Sequence, residues 1–174
     1  MRVVVIGVGS EGRGDDAAGL IAAMALRRLM GDAEIHTSSG DPTDLMALWE
    51  GADAAILVDA AMSGAEPGTV HRFVPTDEPL PAELACRPST HALGVPQAIE
   101  LGRALGALPP RLVVYAIEAR SMQPEAPLSP QVAEACERAA QQIAAEVRSL
   151  TAKRGEAARG RAGADPTRYW PPGR

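Results

Sequence analysis

Three runs that are apolar apart from a charged residue at one end of two of them constrain this chain more than any other feature: Arg2 to Val8 (RVVVIGV), Ala54 to Asp59 (AAILVD) and Leu112 to Ile117 (LVVYAI). A strand that is apolar at every position has to be covered on both faces, which is the pattern of parallel strands in an α/β protein. The segments between them have helical spacing. Asp15-Asp16 opens one in which Ala18, Ile21, Ala22, Ala25 and Leu29 share a face until Gly31 stops it. Pro42 to Glu50 is a short helix with Pro42 and Asp44 in its first turn, and residues 94–107 form another. Ser129 is an N-cap, and Pro130 opens a final helix whose inner face is traced by Val132, Ala135, Cys136, Ala139, Ile143 and Val147. Ala33 to Thr37 adds a short strand, and Gly68 to Val74 alternates apolar with polar residues, as a strand near a sheet edge does. Pro75 to Pro88 is a proline-rich loop. Together these features predict an α/β three-layer sandwich: a mostly parallel sheet of about five strands flanked by helices, with one antiparallel edge strand.

With 174 residues, 46% of them hydrophobic, the chain suffices for one domain with a full core, which we place at residues 1–150. From 151 to 174 Gly, Arg and Ala recur without an apolar period and the chain closes on Tyr169-Trp170-Pro171-Pro172, so composition predicts a disordered basic tail. Residues 152–174 hold six basic and two acidic residues, among them the sole lysine, Lys153, which leaves 11 basic and 20 acidic residues in the body, a net −9. An acidic body argues against nucleic-acid partners, because neutralising phosphates takes a basic face. Aromatic residues are only 3%, so base-stacking platforms are excluded as well. Cys86 and Cys136 show neither disulfide nor zinc spacing, which fits a reducing compartment. The apolar run at the N-terminus meets Glu11 too soon for an export signal, and no segment approaches the roughly 20 apolar residues of a membrane span. The expectation is a cytoplasmic protein with no membrane contact.

Ligands of parallel α/β sheets gather beyond the carboxyl ends of the strands. Three residues stand at such positions: Asp16 at the helix after the first strand, Asp59 at the end of its own strand, and His91 in the Ser89-Thr-His-Ala-Leu-Gly94 loop. Two carboxylates and an imidazole form an open oxygen/nitrogen site for a borderline divalent cation. Simpler roles stay open for each, since Asp15 and Asp16 suit a helix start, Asp59 can hold a neighbouring loop, and His91 can be an ordinary loop histidine. His36 and His71 fit partly exposed sheet positions. Gly7-Val-Gly-Ser-Glu-Gly12 matches the GxGxxG dinucleotide fingerprint, yet Arg13, Gly14 and two aspartates separate it from the helix and put negative charge where pyrophosphate docks. No GxSxG is present, both cysteines suit packing roles, and Asp15 or Glu118 offers an acid or base that nothing in the sequence fixes.

Taken in order, Gly7-Val8-Gly9 with Asp15-Asp16 and Gly19, Ile56 to Ala60, Gly68-Thr69-Val70, Ser89 to Gly94, Val114 to Glu118 and Leu128 to Val132 resemble the hydrogenase maturation endopeptidases. The likeness covers about residues 1–148. It implies an enzyme that removes a C-terminal extension from the precursor of a [NiFe] hydrogenase large subunit, and it places the family's metal-contacting and catalytic positions on Asp16, Asp59 and His91. By that resemblance the nickel is supplied by the substrate rather than held by the free enzyme, and the protein is a monomer. Two positions depart from the family pattern: Ser10 stands where most relatives carry Asn, and Ser39-Gly-Asp-Pro-Thr43 replaces a Gly-Gly-Thr type loop. The latter, with Leu45 to Trp49, resembles the branch that matures soluble, NAD-linked hydrogenases. The competing classes are a nickel-sensing protein that does not cut and a Rossmann-like nucleotide-binding module.

Overall fold

The computed structural model describes residues 1–81 and 94–162, with side chains through residue 152. Five strands form one sheet: β1 (Val3–Val8), β2 (Glu34–Ser38), β3 (Ala54–Ala61), β4 (Val70–Phe73) and β5 (Arg111–Glu118). Their order is β2-β1-β3-β5-β4. All pairings are parallel except that of β4 with β5, where Val70 lies opposite Ile117 and Phe73 opposite Val114. The expected mostly parallel sheet with one antiparallel edge strand is therefore what the chain builds.

Helices α1 (Ala18–Leu29) and α4 (Pro130–Ala162) pack together on one face, and α2 (Pro42–Trp49) and α3 (Val95–Ala104) on the other. Alternate strand residues serve the two cores. Val5, Ile56, Val58, Val113, Tyr115 and Ile117 meet α1 and α4, whereas Val4, Ile6, Leu57, Leu112 and Val114 meet α2 and α3. With so few aromatics the first core is built on alanine, and Ala18, Ala22, Ala23, Ala135, Ala139 and Ala140 let the α1 and α4 backbones approach closely. Across the sheet, Tyr115 Oη donates to Glu146 at 2.7 Å and Arg72 Nε to the same carboxylate at 2.9 Å, tying α4 to β5 and β4. On the opposite face Trp49 Nε1 donates to the carbonyl of Ala107 at 3.0 Å and holds α2 against the α3–β5 turn.

Some boundaries differ from expectation. The segment opened by Asp15-Asp16 begins as a 3-10 turn, Gly14–Ala17, and becomes α-helical only at Ala18. The final helix runs on to Ala162, past the boundary placed at residue 150; the rest of the expected tail, and Cys86 and His91 with the 82–93 segment, lie outside the described residues. No helix among the described residues is long and apolar enough to cross a membrane.

The strand order also locates a crevice. From β1 the chain leaves over one face through α1 to reach β2 on one side, whereas from β3 it goes on to β4 and returns through α3 on the other face to reach β5 on the opposite side. The two connections diverge beyond the carboxyl ends of β1 and β3, the kind of topological switch point where α/β sheets bind ligands.

Candidate active site at the sheet switch point

Both sequence-predicted carboxylates come to that edge. Asp16 sits in the 3-10 turn after β1, and Asp59 lies in β3 one residue beyond Val58, which is in register with Gly7. The glycines between them set the approach. A Cβ on Gly19 would fall 2.2 Å from the carbonyl oxygens of both Val8 and Val58, so only glycine lets the first turn of α1 rest on the ends of β1 and β3. Gly9, at φ +153°, lies against the carbonyl of Asp16, where a Cβ would stand 2.1 Å from the oxygen. Within the Gly7–Gly12 run, Gly7 thus serves close packing of α1, and Gly9 that of the Asp16 turn, on the strand. In the dinucleotide fingerprint the helix begins within the glycines, whereas here α1 begins at Ala18.

The paired aspartates divide the work. Asp15 is fully buried, and its carboxylate accepts from the amides of Ser129 (2.6 Å), Arg120 (2.8 Å) and Ser121 (3.1 Å) and from the Ser129 hydroxyl (2.8 Å). Burial pushes its pKa up, but these hydrogen bonds, Ser129's foremost, outweigh burial and hold it below the ordinary carboxylate value. Asp15 therefore clamps the turn to the loop after β5 and to the start of α4. The backbone reinforces the clamp, with the amide of Gly14 donating to Ala126 and that of Asp15 to Ser121. Asp16 is left facing solvent in part, its side chain 21% exposed and 3.9 Å from the Arg13 guanidinium. The Ser10 amide donates to the Asp16 carbonyl at 3.3 Å, a backbone bond to which the Asn-to-Ser departure is indifferent.

Asp59 is half-buried, accepts from the Ala60 amide at 2.8 Å through Oδ1, and lines a small cleft with Ala61, Leu80, Val95, Pro96 and Ala116. His91 lies outside the described residues. The chain re-enters them at Gly94, whose Cα is 4.0 Å from a Cβ position on Gly40, and its next two residues line the Asp59 cleft. Among the described residues no group of three His, Cys, Asp or Glu side chains is arranged to hold a metal.

The 39–43 loop has a structural explanation. Asp41 caps α2, its Oδ1 accepting from the amides of Thr43 (2.9 Å) and Asp44 (3.1 Å), and Ser38 Oγ donates to Asp44 at 2.7 Å. Cys136 is buried, donates to the Ala18 carbonyl at 3.3 Å, and has its thiol pushed up to about 12 by burial first and then by Asp15 and Glu137, so it is a packing residue rather than a nucleophile. His36 stands 3.3 Å from Glu34 on the β2 edge. Sequence reasoning offered Glu118 as an acid or base but missed its surroundings. The carboxylate is buried, accepts from Ser63 Oγ and the Gly64 amide, both at 2.9 Å, and faces His71 Nε2 at 3.8 Å.

The fold and its edge define an α/β protein with an acidic crevice at the β1/β3 switch point. Comparison with known proteins gives this class a family. A family model described as hydrogenase maturation protease matches residues 39–146. The hydrogenase 2 maturation protease of Escherichia coli (strain K12) is 30% identical over 152 residues, covering 85% of this chain and 92% of that one. Among solved structures, the hydrogenase maturating endopeptidase HybD from E. coli superimposes with a TM-score of 0.71 at 28% identity, over 86% of this chain and 94% of that one. The [NiFe] hydrogenase maturation protease HycI from Thermococcus kodakarensis gives 0.62 at 26%, over 82% and 90%. The chain belongs to the hydrogenase maturation protease family and is an endopeptidase of hydrogenase maturation.

Proposed function

We propose that this protein removes the C-terminal extension of a [NiFe] hydrogenase large-subunit precursor once nickel has been inserted, and that it recognises the nickel in the substrate through Asp16, Asp59 and His91. The observation that carries this reading is the meeting of Asp16 and Asp59 at the β1/β3 switch point, held there by glycines that no other residue can replace. Two carboxylates and one imidazole form an incomplete shell for a borderline cation, which leaves coordination positions for the thiolates of the substrate's own metal site. Nickel is then part of the substrate, and its presence licenses the cut. Asp16 and Asp59 orient the metal so that it polarises the scissile carbonyl for attack by water. The protein acts as a cytoplasmic monomer, in keeping with its acidic surface and its single domain.

Asp16→Asn and Asp59→Asn are each expected to slow cleavage of nickel-loaded precursor at least tenfold, read by gel shift of the large subunit. His91→Ala, which removes the only nitrogen ligand, should cause the deepest loss of nickel-dependent binding. Normal rates in both carboxamide variants would exclude the assignment. Nickel-dependent binding with no change in the precursor's mass would instead mark a sensor that does not cut.

A further inference from the structure

We propose that His71, backed by Glu118, is the proton-transfer residue of the peptide hydrolysis; this rests on the Asp59 cleft being the site of cleavage. Three residues form a row across the sheet: Asp59 in β3 is in register with Ala116 in β5, and Ala116 with His71 in β4. Side chains of residues in register share a face, and two strand spacings put the ends of this row about 10 Å apart. The residue between them is an alanine that lines the same cleft as Asp59. The sheet therefore places a carboxylate and an imidazole on one face, on either side of Ala116.

The surroundings of His71 give it a direction. Its ring stacks on Phe73, with centroids 6.1 Å apart and planes at 20°. Its Nε2 is buried without a hydrogen-bond partner, 3.8 Å from Glu118 Oε2. Glu118 is itself buried, fixed by Ser63 Oγ and the Gly64 amide in the turn after β3. A small inward rotation of the ring gives Nε2 an acceptor and leaves Nδ1 to act as base, the arrangement in which a carboxylate orients an imidazole base. The charged groups facing His71 are Glu118 from β5 and, across Ala116, Asp59 from β3. Its neighbour on β4, Arg72, turns to the opposite face and pairs with Glu146. In the reaction, His71 takes a proton from water as the water oxygen bonds to the scissile carbonyl carbon. It returns that proton to the amide nitrogen as the C–N bond breaks and its electron pair stays on nitrogen, giving a carboxyl terminus and a free amine.

The test is steady-state cleavage of nickel-loaded precursor by the full chain and by His71→Ala, His71→Gln and Glu118→Gln, with thermal melts of each. The expectation is a kcat at least 100-fold lower in both His71 variants with KM within about twofold, since a positioned general base contributes on the order of 10²–10⁴-fold. His71→Ala should be partly restored by added imidazole, which a structural role cannot explain, and Glu118→Gln should lower kcat about tenfold. Normal kcat in folded His71→Gln, or loss in His71→Ala that imidazole leaves unchanged, overturns the assignment. Failure of the wild-type protein to cleave would remove the cleft reading beneath it, and this assignment with it; cleavage by wild type and His71→Gln alike removes this assignment alone.

Discussion

Adjacent carboxylates at positions 15 and 16 end in different solvents. Asp15 is buried with four hydrogen bonds to its two oxygens, and Asp16 meets water at the crevice. The sequence marked the pair but could not divide it, because both residues suit a helix start and the donors to Asp15 lie more than a hundred residues away. Asp15→Asn must turn an amide NH2 toward a donor, so at neutral pH it should cost about 2–3 kcal/mol in urea denaturation, in line with leaving buried donors unmatched. The sign of its pH dependence comes from the depressed folded pKa. The ionised carboxylate stabilises the fold fully above its unfolded value of about 3.9, and this contribution is lost as pH falls through the lower folded value. The gap between wild type and Asp15→Asn is therefore expected to shrink between pH 6 and pH 3; a gap that widened would contradict the clamp.

At the scale of elements, β1, β3 and β5 were legible because central parallel strands are apolar at every position. The β4 edge strand showed itself through alternation, and α2 and α4 through Pro42, Asp44, Ser129 and Pro130. What lay out of reach was lateral: nothing in the linear pattern says that His71 stands in register with Ala116 and Ala116 with Asp59. The 3-10 turn at Gly14–Ala17 escaped for a related reason, since it is fixed by distant backbone partners, the carbonyls of Ser121 and Ala126. Gly19 is where element packing becomes site geometry. Gly19→Ala forces a methyl into two strand carbonyls and should lower the melting temperature by about 5 °C or more, as overpacking of about 1–3 kcal/mol does in a chain of this size. Cleavage should fall with it, because Asp16 moves with the turn. A calorimetric scan matching wild type would show that α1 shifts freely at that point.

For the whole molecule, strand order 2-1-3-5-4 brings two separated residues, Asp16 and Asp59, to one edge. Asp16 and Asp59 were legible in sequence because each stands at the carboxyl end of an apolar strand or just past it, and the topology brings both to the β1/β3 switch point. Among the residues whose side chains are described, the last buried position of α4 is Leu150, and Thr151 and Ala152 are exposed. Removing residues 153–174 should therefore leave the melting temperature within about 2 °C and the cleavage rate unchanged; a fall in either would give that segment a role in the fold or in substrate docking.

Whether nickel in the substrate licenses the cut through Asp16, Asp59 and His91 is read from the intact mass of the large-subunit precursor. The precursor is mixed, with and without nickel, with this protein or its His91→Ala variant. Loss of a C-terminal peptide is expected only with nickel and only with the wild-type chain. Cleavage independent of nickel, or undiminished in the variant, would contradict it.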